Sequence, residues 1–128
     1  MLPEHTIEIQ VRYHETDAQG HVHHANYLNY FELGRVELLR AIGRDYAELE
    51  RSGIVLVVAE MTCRYFRPCR FGDTLTLRTA TVSARGARIR HRYELSRGGE
   101  LLAEGESTVA CLDDSGRVQR LPVWLREA

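Results

Sequence analysis

Only one stretch of this chain carries a long helical period, and that limits what can cover its strands. Tyr27, Phe31, Gly34, Leu38 and Ala41 recur at steps of three and four, and Leu28, Leu39 and Ile42 widen the stripe. The spacing predicts an amphipathic helix from His24, about 18 residues and roughly 27 Å long, stopped at Gly43. Gly34 in its interior costs about 1 kcal/mol relative to alanine, and close approach to a sheet is the expected compensation. Ahead of the helix, residues 6–13 alternate, with Ile7, Ile9, Val11 and Tyr13 on one side, as a half-buried strand does. Residues 14–23 are polar, contain Gly20 and read as a loop. Residues 45–52 read as a short helix ended at Gly53. Strands then follow at 54–66, 74–83, 87–97 and 100–112, with glycine, proline and aspartate turns between them. Residues 122–128 form a short tail with room for one helical turn.

Strands joined by tight turns pair antiparallel. One long helix cannot cover both faces of five strands, so the economical arrangement is α+β, with a five-stranded antiparallel sheet wrapped around the helix. The outer sheet face and any open edge are then natural places for a second subunit. At 128 residues, with no linker or repeat, one domain spanning 1–128 is expected. Hydrophobic residues make up 44% and charged residues 27%, which excludes a disordered or collagen-like chain. A net charge of −1 argues against a nucleic-acid binder. The longest apolar run, 54–59, is far short of the ~20 residues needed to span a bilayer. The first residues lack a basic segment followed by an apolar one, so no secretory signal is expected. Cys63, Cys69 and Cys111 are an odd set without a CxxC pair, which suits small buried thiols in a reducing cytoplasm.

Chemistry concentrates between the first strand and the helix, in Tyr13-His14-Glu15-Thr16-Asp17-Ala18-Gln19-Gly20-His21-Val22-His23-His24-Ala25-Asn26-Tyr27. A loop that feeds a helix N-terminus offers free backbone N–H groups and the positive end of the dipole. Asp17 precedes the helix, and Gly20 lets the loop fold back. A carboxylate and a set of N–H donors can therefore face one small volume, as acyl-group hydrolysis requires.

The run Y-x-E-T-D-x-x-G-H-V-x-H-A-N-Y, continued by Tyr30-Phe31-Glu32 and Arg35-x-Glu37, resembles the 4-hydroxybenzoyl-CoA thioesterase family of hot-dog-fold enzymes, in particular its YbgC-like acyl-CoA thioesterases. A second match is Arg64-Tyr65-Phe66-x-Pro68 with Phe71-Gly72-Asp73. The resemblance implies an acyl-CoA substrate, no metal or redox cofactor, and a homodimer or a tetramer of paired dimers with sites built from both subunits. It puts Asp17 at the catalytic carboxylate position, as nucleophile or general base, with Tyr13 and His24 drawn into the site. The backbone N–H at His24 would polarise the thioester carbonyl. Gly20, Asn26 and Tyr27 fall on the substrate side of the motif, although Tyr27 and Phe31 also read as core.

Plainer readings stand beside these. Asp17 alone suits a turn or cap. His21, His23 and His24 with Asp17 and Glu15 are metal-ligand types, but their spacing fits no standard metal motif, and no metal is expected. Glu32, on the helix, reads as an intersubunit partner. Arg88, Arg90 and Arg92 share one strand face; they suit a solvated surface or, with Arg64 and Arg67, capture of coenzyme A phosphates. A non-catalytic acyl-CoA or acyl-carrier binding protein, and a hot-dog hydratase or dehydratase, are the competing functions.

Overall fold

The computed structural model describes residues 2–126. Its elements run β1 (Glu4–Gln10), a single helical turn (Tyr13–Glu15), α1 (Asn26–Ala41), α2 (Tyr46–Arg51), β2 (Val55–Tyr65), β3 (Thr74–Arg85), β4 (Arg88–Arg97), β5 (Glu100–Leu112) and a last turn (Val123–Leu125). The strands form one sheet in the order β1-β3-β4-β5-β2, every pair antiparallel. Register slips at Val58/Glu60, Thr81/Ser83 and Leu95/Ser96 bend the sheet. The curled sheet closes on α1 in the expected hot-dog arrangement. The helical turn expected within 122–128 is found at Val123–Leu125, and residues 127 and 128 lie outside the described ones.

The core is the contact between α1 and the concave sheet face. Tyr27, Tyr30 and Phe31 pack on Ile9, Leu75, Leu77, Tyr93, Leu95, Leu102 and Ala103, all buried. Phe31 stacks on Tyr93 with ring centroids 4.5 Å apart. Two glycines permit that approach. A Cβ on Gly34 would overlap Thr79 Oγ1 and stand 2.9 Å from Leu77 Cδ2; one on Gly105 would stand 2.6 Å from Phe31 Cε2. The interior glycine of the helix is thus where helix and sheet touch.

Of the boundaries that differ from the sequence expectation, two flank the loop before α1. β1 ends at Gln10, and Tyr13 leaves the strand because the Arg12 N–H donates to Glu15 Oε1 at 2.8 Å, which winds Tyr13–Glu15 into a turn. α1 starts at Asn26 rather than His24, because the Asn26 N–H donates back to the His23 carbonyl and keeps residues 23–25 as a turn. Over 16 residues α1 is about 24 Å long. Its end is as expected: Gly43 sits at φ +86°, and the Arg44 N–H returns to the Leu39 carbonyl.

Candidate active site

The loop before α1 is a tight, internally bonded turn. The Asp17 N–H donates to the His21 carbonyl at 2.8 Å, and the Gly20 N–H donates to the Asp17 carbonyl at 2.9 Å. Gly20 closes this turn at φ +81°. Asp17 Oδ1 accepts the Gln19 N–H at 2.9 Å, so the carboxylate is oriented by its own loop. The turn-forming reading of Asp17 is therefore real, and it leaves Oδ2 without a partner among the described residues.

Three links tie the loop to the end of β2 and the segment after it. The Val22 N–H donates to the Cys69 carbonyl at 2.9 Å, His21 bridges Arg70, and the Tyr65 hydroxyl donates to the His24 carbonyl at 2.9 Å. The result is a cleft of about 310 Å³ walled by Asp17, His21 and His24 on one side and by Tyr65, Phe66, Arg67 and Pro68 on the other, with Tyr27 at its base. Tyr27 is both core and cleft: it is buried, contacts Cys69 Sγ at 3.4 Å and meets the Tyr65 ring edge-on at 4.8 Å. Burial, then Cys69, pushes the Tyr27 phenol well above its ordinary range. Burial, then Cys63, pushes Tyr65 up to about 12. Both therefore remain protonated hydrogen-bond donors at neutral pH.

The backbone N–H of His24 donates to no acceptor among the described residues, and His24, two residues ahead of α1, lines the cleft. The His24 ring stacks on His23 at 4.2 Å. His23 is occupied locally, its Nδ1 accepting the Ala25 N–H at 3.1 Å. Among the described residues, no three His, Cys, Asp or Glu side chains are grouped to hold a metal.

The other candidates fall elsewhere. Tyr13 is exposed and packs edge-on against Phe71 at 5.6 Å, lining a separate opening with Glu15 and Leu33. Asn26 clamps the base of the loop, its Nδ2 donating to the Glu15 carbonyl at 2.9 Å. Arg67 reaches the cleft and pairs with Glu100 at 3.2 Å. Arg88 and Arg90 lie on the convex sheet face, away from Asp17, and Arg90 faces Glu106 at 3.7 Å. Arg64 lines an opening on that face with Arg92 and Glu104.

Sequence reasoning missed two residues as parts of the site. Glu15 accepts the Tyr30 hydroxyl at 2.9 Å and the Arg12 N–H on its carboxylate, and the His23 N–H and Asn26 Nδ2 on its carbonyl. It thereby joins both ends of the Asp17 loop to α1. Tyr65 fixes the other wall. Both stand inside the two matched motifs, which was the available signal.

Comparison with known proteins places the chain among relatives of known family and fold. The family model described as the thioesterase-like superfamily matches residues 11–128. YneP of Bacillus subtilis (strain 168) is 35% identical over 107 residues, 83% of this chain and 78% of that protein. The acyl-CoA thioester hydrolase YbgC of Escherichia coli O157:H7 is 34% identical over 106 residues, 82% of this chain and 79% of that protein. The solved structure of a DHNA-CoA thioesterase from Staphylococcus aureus superposes with a TM-score of 0.89 at 28% identity, covering 92% of this chain and 80% of the other.

Proposed function

The chain belongs to the thioesterase-like superfamily, and from that premise we propose that it is an acyl-CoA thioesterase using Asp17 at the cleft before α1. The observation that carries the proposal is one juxtaposition: Asp17, oriented through Oδ1, opens on the same cleft as His24, whose backbone N–H is free. That N–H takes the thioester oxygen and stabilises the oxyanion, an interaction usually worth about 2.7–4 kcal/mol. Asp17 then attacks the carbonyl carbon, giving an anhydride that water opens, or takes a proton from the attacking water. In both routes the C–S bond breaks, coenzyme A leaves as a thiolate, and the carbonyl carbon gains an oxygen to become the free acid. No step calls for a metal or redox cofactor. Asn26 and Gly20 act by shaping the loop, His24 also touches the substrate, and Tyr13 orients the loop from outside the cleft.

The whole chain works as one hot-dog unit in a homodimer. β2 is an edge strand with Val57 and Val58 exposed, and α1 turns Glu32 and Val36 toward the same edge. An open, partly apolar edge calls for a partner strand. A second pairing through the convex face, with Arg88 and Arg90, would give the tetramer. Arg67 is placed to meet a coenzyme A phosphate from within the cleft, whereas Arg64, Arg88 and Arg90 can reach one only from a neighbouring dimer. Among the described residues no helix is long and apolar enough to cross a membrane, and a cytoplasmic site of action suits the free thiols.

The test is thiol release from a panel of aryl and aliphatic acyl-CoAs by wild type and Asp17→Asn in parallel. The substitution should cost about 10²–10⁴-fold in turnover, with acyl-CoA binding and dimer mass retained. Equal turnover by both proteins would exclude Asp17, and tight binding without turnover by wild type would make the chain a binding protein.

A further inference from the structure

Far along α1 from Asp17 lies a feature that thioester hydrolysis does not use. Arg35 stands nine positions after Asn26, about 14 Å along the helix. It is only 7% exposed, yet it is charged. Arg40, Arg44, Arg67, Arg78, Arg90, Arg92 and Arg97 all pair with carboxylates near the surface. Arg35 does not. Its Nη1 donates to the Tyr93 hydroxyl at 3.0 Å, the Tyr93 hydroxyl lies 2.6 Å from Ser107 Oγ, and Tyr46 is its other neighbour. Among the described residues no carboxylate lies within ion-pair distance of it. A buried guanidinium without a counter-charge is costly, and hydroxyls offset only part of that cost.

This cation borders a cavity of about 510 Å³ between the C-terminal half of α1 and the sheet. That size is typical of a small-molecule site. Leu38, Leu39, Leu56, Ile89 and Val109 make its walls apolar. Further polar side chains meet it: Tyr46, Thr81, Arg126, whose Nε is buried without a hydrogen-bond partner, and His91, also 7% exposed, whose Nδ1 has none either. Burial, then Arg35, holds this imidazole well below its usual value, so it is neutral and can present an N–H. A hydrocarbon-walled cavity with a buried, uncompensated cation and an idle neutral imidazole has one chemical complement: a hydrocarbon body ending in an anion.

We propose that this cavity is a second binding site that takes a monocarboxylic acid with an apolar body, its carboxylate on Arg35 and His91 and its hydrocarbon against Leu38, Leu39, Ile89 and Val109. The planar guanidinium suits a carboxylate, which would replace hydroxyl contacts with a charged one. The site stands independently of the reaction assigned to Asp17. If that reaction holds, the acids it releases belong to the class this cavity accepts.

Trp124, the sole tryptophan of the chain, lines the cavity beneath the Arg44 guanidinium and reports occupancy directly. Decanoate and 1-decanol are titrated into wild type, Asp17→Asn and Arg35→Met, following Trp124 emission, with calorimetry for stoichiometry. Wild type and Asp17→Asn should show the same saturable change with decanoate, one per chain, and at least tenfold weaker binding of the alcohol. Replacing a buried charge by an apolar residue of similar length is commonly tolerated, so Arg35→Met should fold, bind the alcohol and lose the preference for the acid. Equal affinity of wild type for acid and alcohol would overturn the proposal without recourse to any variant, as would no saturable change up to millimolar decanoate. Loss of the signal in Asp17→Asn would seat the acid in the Asp17 cleft and overturn it too. Turnover is not read in this experiment, so failure here and failure of the thioesterase reading are distinct results.

Discussion

Glu15 holds the Asp17 loop from both ends although it lines a different opening. Its carboxylate receives the Arg12 N–H and the hydroxyl of Tyr30, a side chain 1% exposed. Burial, then Glu15, pushes the Tyr30 phenol far up, so it remains a donor across the working pH range. Glu15→Ala strands that hydroxyl in the core, which should cost about 1–3 kcal/mol in urea unfolding. It also frees the backbone that positions Asp17, and a misplacement on the order of 1 Å costs about 10²-fold in kcat/KM. Glu15→Gln keeps a side-chain oxygen for Tyr30 and should recover most of both losses. If Gln is as damaging as Ala, the charge rather than the positioning is what the site needs. The loop that carries Asp17 was legible because it lies within one contiguous segment, from Tyr13 to Tyr27. The contribution of Glu15 was not, because it is exerted through backbone atoms whose partners sequence spacing does not reveal.

At the scale of elements, Gly34 joins the helix to the sheet. Ala would gain about 1 kcal/mol of helix propensity, but its Cβ would overlap Thr79 Oγ1 and crowd Leu77. Overpacking of this kind costs about 1–3 kcal/mol, so Gly34→Ala should be net destabilising. Thr79 Oγ1 is buried without a partner, so trimming it removes the obstacle and forfeits no hydrogen bond. The double variant Gly34→Ala/Thr79→Ala should therefore be more stable than the two single losses predict; additive losses would mean that Thr79 is not the obstacle. Gly34 was correctly read from sequence as a contact point, since an interior glycine needs a packing reason. Element ends were less legible for a physical reason. The alternation of residues 6–13 runs past Gln10 without a break, and only the Glu15 side chain folding back on Arg12 ends the strand. Alternation of Arg88, Arg90 and Arg92 correctly gave a shared face, but it could not say that this face is the convex one.

Across the whole molecule, α1 separates two chemistries: a carboxylate facing solvent near its start, and a buried cation beside a histidine under its far half. The second was illegible because Arg35, His91 and Trp124 come from α1, β4 and the C-terminal turn, and meet only when the sheet curls. His91 also gives the fold a signature in its pH dependence. Burial, then Arg35, brings its pKa down to about 4 from the ordinary 6.5. Between those values the unfolded chain binds a proton that the folded chain refuses, so unfolding is favoured as pH falls through that window. Below pH 4 both states are protonated at this position, and above 6.5 neither is, so its contribution is flat on both sides. The full difference is about 3 kcal/mol. Carboxylate effects fall lower. Partial burial of Asp73 works against its charge but is outweighed by the Arg70 N–H and Arg97, which hold it below its usual range, so its stabilisation is lost only as pH drops under about 4. Urea midpoints measured from pH 7.5 to 3.5 should thus fall first between 6.5 and 4. His91→Gln, which removes the titrating group while keeping polar atoms at the site, should flatten that first descent and leave the acid limb. A first descent of unchanged size in His91→Gln would mean that another group carries it.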